Sequence, residues 1–359
     1  MYDVIAIGSA TIDVFASTDK RYVRTNNYKN KKIEEYCFPV GTKLLVKHLE
    51  FSTGGGGTNT SVAFSRLGLK TAYLGKLGND NPAKVVIDEL KNEKVDTSLV
   101  VVEKSNKSTK DNKESKNNPK LKTGYSTIID AEGEDRTIFA FKGANDDLSF
   151  NELNLKKIKQ TRWIYLGSMM GKSFETAEKL AKFAKKNKIG LAFNTSTYLA
   201  KKGLNYLKNI LRHTTLFVLN KEEAELLTGK KDVNSQLKVL HNIGIMYVAI
   251  TNGKNPAHAC DGSKVYTVYP RKVKIKETTG AGDAFAATFL AGIIKTENEE
   301  RNTLNKNKAS NVKTALELAL ANSESVITHY GAKNLLLHWH TLVEHVKKKP
   351  YRIEERKLD

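Results

Sequence analysis

Short apolar runs, each closing on a polar residue or glycine, recur at 4–8, 163–167, 190–194, 216–220 and 246–251. Their length and β-branched content predict buried strands. Between them lie stretches with a helical repeat, such as 173–187 (SFETAEKLAKFAKKN) and 221–228, and an apolar one follows at 284–294 (AFAATFLAGII). Alternating strands and helices predict an α/β fold, with a mostly parallel sheet covered on both faces. In such sheets ligands gather at the C-terminal ends of the strands.

Two stretches break the alternation. Residues 15–51 hold β-type runs at 33–38 and 43–51, with a turn at Pro39-Val40-Gly41. Residues 99–142 hold LVVVE, YSTIID and RTIFAF, with Ala131-Glu132-Gly133-Glu134 as a hairpin turn. Strands without helices predict a small β-sheet standing off the main domain, either a lid that closes over a substrate or a pair of plain β-insertions. The expected division is a large α/β domain at 1–14, 52–98 and 143–346, and a β-lid at 15–51 and 99–142. Within the lid, 103–120 has no apolar residue and reads as a mobile insertion. The polar run 295–311 reads as a solvent loop between helices, and the basic tail 347–359 as a solvated end.

Composition narrows the class. A chain of 359 residues can bury one large core with a smaller appendage. No stretch approaches the roughly 18 apolar residues of a membrane span, and the opening MYDVIAIGSATIDVF reads as a first strand, not a signal peptide. Cys37 and Cys260 lack metal-ligand spacing and suit a reducing cytoplasm. The formal charge of +20 comes from lysines spread along the chain with asparagine. That pattern predicts non-specific attraction to polyanions at low salt and no specific nucleic-acid site.

The chemistry concentrates in Glu277-Thr278-Thr279-Gly280-Ala281-Gly282-Asp283-Ala284-Phe285. Small residues before a helix N-terminus aim backbone N–H groups at one spot, where the helix dipole favours negative charge. A carboxylate beside such an anion site makes sense if it takes a proton from an attacking hydroxyl. The segment therefore reads as a phosphoryl-transfer centre, with Asp283 the base and Gly280, Ala281 and Gly282 the anion hole. The string TTGAGDAF resembles the signature of the ribokinase-like (PfkB) family of carbohydrate and nucleoside kinases.

Three other segments extend that resemblance. Thr53-Gly54-Gly55-Gly56-Gly57-Thr58-Asn59 opens a helix with glycines that let a ligand approach the backbone. It is similar to the family's sugar loop, with Gly55, Gly56 and Asn59 at substrate-binding positions. Asp13, in Gly8-Ser9-Ala10-Thr11-Ile12-Asp13, closes the first apolar run and resembles the family's substrate aspartate. Asn220 and Glu223 match its N-x-x-E motif, whose acid organises hydrated Mg²⁺. Thr251, Gly253 and Asn322 fall where the family touches the nucleotide, and 325–332 where it lines the adenine and a monovalent-cation loop.

The resemblance spans residues 2 to about 346. It implies an αβα sandwich with a β-lid, ATP and Mg²⁺, and often K⁺ as activator, with Glu277 and Thr279 at the cation. Departures leave details open. Glu277 replaces the aspartate usual at that position, and Gly167-Ser168-Met169-Met170 lacks the glutamate that ribokinase proper uses for ribose. Arg136 and Lys142 could meet a phosphate or carboxylate on the acceptor. The acceptor thus stays open between a neutral sugar, a nucleoside and an anionic sugar, as does a protein that binds without catalysis. A homodimer through the lid is a further option.

Overall fold

In the computed structural model, which describes residues 1–28, 31–104, 121–131, 136–302 and 308–358, the described residues build eleven α-helices and seventeen strands. The first stretch runs β1 (Tyr2–Ile7), β2 (Thr11–Thr18), β3 (Val23–Tyr28), β4 (Lys31–Tyr36), β5 (His48–Gly54) and α1 (Gly56–Arg66). It continues through β6 (Thr71–Leu74), β7 (Lys76–Leu77), α2 (Asn81–Asn92), β8 (Val101–Val102), β9 (Gly124–Ala131) and β10 (Thr137–Phe141). Then come α3 (Leu155–Ile158), β11 (Thr161–Leu166), α4 (Gly171–Lys186), β12 (Gly190–Asn194), α5 (Thr197–Ala200) and α6 (Leu204–Leu211). β13 (Leu216–Asn220), α7 (Lys221–Thr228), α8 (Val233–Asn242), β14 (Tyr247–Asn252), β15 (Asn255–Cys260) and β16 (Lys264–Val268) follow. The chain closes with α9 (Ala281–Asn302), α10 (Lys308–Val326), α11 (Trp339–Lys348) and β17 (Ile353–Lys357).

The main sheet has nine strands in the order β17-β16-β15-β14-β13-β12-β11-β1-β6. From β6 to β14 the pairings are parallel, and β15, β16 and β17 add antiparallel. Alternate residues of each strand enter opposite cores. Val4 and Ala6 pack with α1, α2, α9 and α10, whereas Ile5 and Ile7 pack with α4, α6, α7 and α8. This is the αβα sandwich that strand-helix alternation predicts. Among the described residues no helix is long and apolar enough to cross a membrane.

A second sheet, β10-β9-β2-β5, stands off the first. β2 starts at Thr11 and β5 runs to Gly54, so both strands reach from the lid down to the loops of the main sheet. Asp13 therefore lies within a lid strand, not at the tip of β1. The run at 99–103 does not join the lid, because β8 pairs with β7 beside the main sheet. β3 and β4 form their own two-stranded ribbon.

Two readings of polar segments change. The basic tail is not a free end: residues 353–357 pair with β16 along five residues and complete the main sheet. One half-buried isoleucine followed by four exposed charged residues makes it an edge strand, which charge protects from pairing with other chains. The run 295–311 is mostly helix, since α9 reaches Asn302 and α10 begins at Lys308. Lysine and glutamate are good helix formers and extend α9 past its apolar part. Residues 132–134 of the expected hairpin turn at 131–134, and most of the polar insertion, 105–120, lie outside the described residues.

Candidate active site

Two helix N-termini face each other at Asp283. α1 enters through Gly55, whose φ of 97° suits glycine, and a Cβ there would press to 2.5 Å from the Ser9 carbonyl oxygen. The first turns of α1 are polar yet buried: Thr58, Asn59, Thr60 and Ser61. The hydroxyls turn back to carbonyls one turn earlier in the chain, Thr58 to Gly54 O and Ser61 to Gly57 O at 2.6 Å each. Asn59 instead reaches outward, and its Nδ2 donates to Asp283 Oδ2 at 2.8 Å. Gly56 sits beside the same carboxylate, where an added Cβ would be 3.4 Å from Asp283 Oδ1.

α9 enters through Gly280 at φ 80°, packed so closely that a Cβ would lie 2.5 Å from the Ala332 carbonyl oxygen. The Ala281 N–H closes the turn on Thr278 O at 3.3 Å. Gly282 and Asp283 follow in the first helical turn, where N–H groups have no intrahelical partner. Gly282 faces open space. Burial raises the Asp283 pKa and the Asp13 charge adds to it, while the Asn59 bond and Lys333 oppose the rise.

Asp13 is buried beneath Gly54. It accepts a hydrogen bond from Thr11 Oγ1 at 2.8 Å, and its pKa is raised by burial. Just above, Asn145 pins the β1–β2 joint: its Oδ1 accepts from Ala10 N and its Nδ2 donates to Ala10 O, both at 2.8 Å.

Two cavities meet here. The smaller, about 360 Å³, is lined by Ser9, Gly56, Lys142, Asn145, Asp146, Glu223 and Asp283, with the ends of β11 and β12 at Gly167–Met170 and Asn194–Tyr198. The larger, about 620 Å³, is lined by Thr251, Asn252, Gly253, Lys254 and Arg271 on one side, and by Thr278, Ala281, Gly282 and Phe285 on the other.

Glu223 is held in place by a reciprocal cap at the start of α7. The Glu223 N–H donates to Asn220 Oδ1 at 2.8 Å, and Glu223 Oε2 accepts from Asn220 N at 3.0 Å. Burial raises its pKa. Asn220 thus acts through Glu223 and does not itself line either cavity. Glu277 Oε2 accepts from Gly331 N at 2.9 Å, but its Oε1 and the nearby Thr279 Oγ1 are buried without a hydrogen-bond partner among the described residues.

Two expected site residues lie elsewhere. Asn322 is fully buried inside α10, where Nδ2 donates to Thr288 Oγ1 and Oδ1 accepts from Leu337 N. The adjacent Ser323 and Glu324 line the larger cavity instead. A helix turns about 100° per residue, so one position decides which of the two faces the cavity. Arg136 does not line the smaller cavity; its Nη1 donates to Thr278 Oγ1 at 2.9 Å, reaching from the lid to the α9 entry turn. Lys142, not Arg136, lines the smaller cavity. Lys254, Arg271 and the buried Lys333 carry no motif signal in a lysine-rich chain.

The sequence profile of the pfkB family carbohydrate kinases matches residues 1–339. The chain belongs to the pfkB family. It is a sugar kinase of ribokinase type, a phosphotransferase. An uncharacterized sugar kinase of Archaeoglobus fulgidus is 28% identical over 65% of this chain and 87% of its own length. A 5-dehydro-2-deoxygluconokinase of Clostridium botulinum is 28% identical over 67% of this chain and 72% of its own. Among solved structures, Arabidopsis thaliana ribokinase complexed with ribose and ATP superposes with a TM-score of 0.74 at 17% identity, covering 96% of this chain and 99% of that one. A putative ribokinase II from E. coli with ATP and Mg²⁺ gives a TM-score of 0.72 at 17% identity, covering 97% and 100%. At that identity the likeness of this pfkB chain to both structures concerns the fold.

Proposed function

We propose that this pfkB kinase moves the γ-phosphoryl group of ATP to a sugar hydroxyl, with Asp283 as the base. One observation carries the reading: Asp283 lines the smaller cavity while Ala281 and Gly282, the two residues just before it, line the larger. An acceptor hydroxyl in the first and a phosphoryl group in the second meet at that carboxylate. Asp283 takes the hydroxyl proton, the acceptor oxygen bonds to the γ-phosphorus, and the bond to the β-phosphate oxygen breaks to leave ADP. The N–H groups at the α9 entry, those of Gly280, Ala281 and Gly282, hold the charge on the transferring group. Ala281 contributes least, because its N–H is already engaged. Asp13, Asn59, Gly55 and Gly56 hold the sugar, and Thr251 and Gly253 border the nucleotide.

Glu223 suits Mg²⁺ held through water, being a buried carboxylate fixed at the cavity wall. Glu223 would hold such an ion where its charge would offset that of the donor phosphates. Glu277 Oε1 and Thr279 Oγ1, two unpaired buried oxygens at the α9 entry, suit a monovalent cation such as K⁺. Lys142 in the acceptor cavity favours an acidic sugar over a neutral one. The name of the Clostridium botulinum relative agrees with that choice. The lid also supports a homodimer, since Leu49, Phe51, Phe139 and Phe141 are exposed on one face of its sheet.

ADP release tests the reading, with ATP, Mg²⁺ and K⁺ against neutral sugars, nucleosides and acidic sugars, and Asp283→Asn alongside. An acceptor that stimulates the wild type alone supports it. ATP binding with no acceptor phosphorylated would favour a protein that binds without catalysis.

A further inference from the structure

Residues beyond 339, outside the family match, form α11 and β17. Between those two elements Tyr351, 8% exposed, packs behind the wall of the larger cavity. It holds two residues that line that cavity, Arg271 from the loop after β16 and Glu324 of α10. The Arg271 guanidinium lies over the Tyr351 ring, 3.7 Å from its centroid. The Tyr351 hydroxyl donates to Glu324 Oε2 at 2.7 Å, and Glu324 Oε1 accepts from Arg271 N at 2.7 Å. The same stretch of chain grips Arg271 twice more: Nη1 donates to His345 Nε2 at 2.9 Å, and Nη2 donates to Lys349 O.

We propose that Tyr351 is a positioning residue for the donor nucleotide, holding Arg271 and Glu324 in place at the nucleoside part of the larger cavity. This rests on reading that cavity as the donor site. The phosphates then lie at the α9 entry, beside Ala281 and Gly282. The nucleoside takes the remainder, where Arg271 and Glu324 sit among Val273, Ile275, Leu320 and Ile327. An arginine side chain is long, and ordering it when a ligand packs against it opposes binding. The stack on Tyr351 fixes the guanidinium before the nucleotide arrives. The buried Glu324 carboxylate likewise keeps its orientation only while both of its donors stay in place. One tyrosine from the end of the chain thus sets two residues of the cavity wall.

The test is calorimetric binding of ADP with Mg²⁺, which needs no acceptor, with pyrophosphate as the probe for the phosphate end alone. In Tyr351→Phe, which keeps the ring and loses the hydroxyl, ADP should bind about 5-fold more weakly, and pyrophosphate as in the wild type. In Tyr351→Leu the loss for ADP should exceed about 10-fold. In an Arg271→Leu background the same change should cost less, because the stacking partner is already gone. A role in packing alone would weaken ADP and pyrophosphate alike, or make the Arg271 and Tyr351 effects add in full, and either result would overturn the proposal. So would unchanged ADP binding in both Tyr351 variants. Where Tyr351→Leu does not fold, Tyr351→Phe decides by the same two ligands. A wild type that binds no ADP would instead overturn the donor reading of the cavity.

Discussion

Asn59 on α1 and Asp283 on α9, 224 residues apart in sequence, share a 2.8 Å hydrogen bond. The bond joins the glycine-rich start of α1 to the proposed base, so the two segments with the clearest sequence signals are one unit in space. It also fixes which carboxylate oxygen stays free, since Oδ2 is taken by Asn59 and Oδ1 faces Gly56.

Replacing Asp283 with Asn should cut kcat by about 100- to 10,000-fold while ATP binding changes little. Folding stability should change the other way at neutral pH. A buried carboxylate with a raised folded pKa contributes stability below its unfolded pKa and loses it as pH rises through the folded value. Asp283→Asn should therefore raise Tm near neutral pH and have less effect in acid. A variant less stable at both ends would contradict this.

Gly280→Ala should cost about 1–3 kcal/mol of stability, because alanine at φ 80° is strained and its Cβ meets Ala332. Turnover should fall further than stability explains, through a shifted anion hole. Gly282→Ala, whose Cβ meets open space, should fold as well as the wild type in denaturant titration.

His258, on β15, gives the fold an acid sensitivity apart from the active site. Burial, with help from Arg356 and Lys221, lowers its pKa to about 4. The unfolded chain protonates this imidazole first, so stability is full above about pH 6.5 and falls by about 3 kcal/mol as pH drops to about 4. His258→Gln should flatten that part of the Tm-against-pH curve.

Deleting residues 353–359 should destabilise the protein by a few kcal/mol, at about 1 kcal/mol net for each lost sheet hydrogen bond. A free tail would be removed without effect, so an unchanged unfolding midpoint would count against the ninth strand.

Phe139→Glu should convert a lid-paired dimer to monomer in sedimentation, because a carboxylate would sit on the exposed apolar face of the lid sheet. A wild type already monomeric at high concentration would sink the dimer.

Five strands of the main sheet, β1, β11, β12, β13 and β14, and α9 were legible because their apolar runs are strong, and Asp283 because glycines and a carboxylate meet at a helix start. What stayed hidden depends on partners far away in sequence. β17 reads as a charged tail until β16 is beside it. Lys333 looks like every other lysine until Glu89 and Thr53 close on it. Asn322 differs from Ser323 only by which side of α10 faces the cavity, a choice made by packing against Thr288. Asp13 reads as a strand end because the break at Gly8–Ala10, where the chain leaves one sheet for the other, is only three residues long.

That short break has a consequence for fidelity. Asp13 belongs to the lid sheet and Asp283 to α9 of the body, and the joint between them is gripped at Ala10 by Asn145. A molecule that engages both carboxylates must bridge the lid sheet and the body. Water is too small to do so, which makes the size of the acceptor, and not only its hydroxyl, a condition for spending ATP.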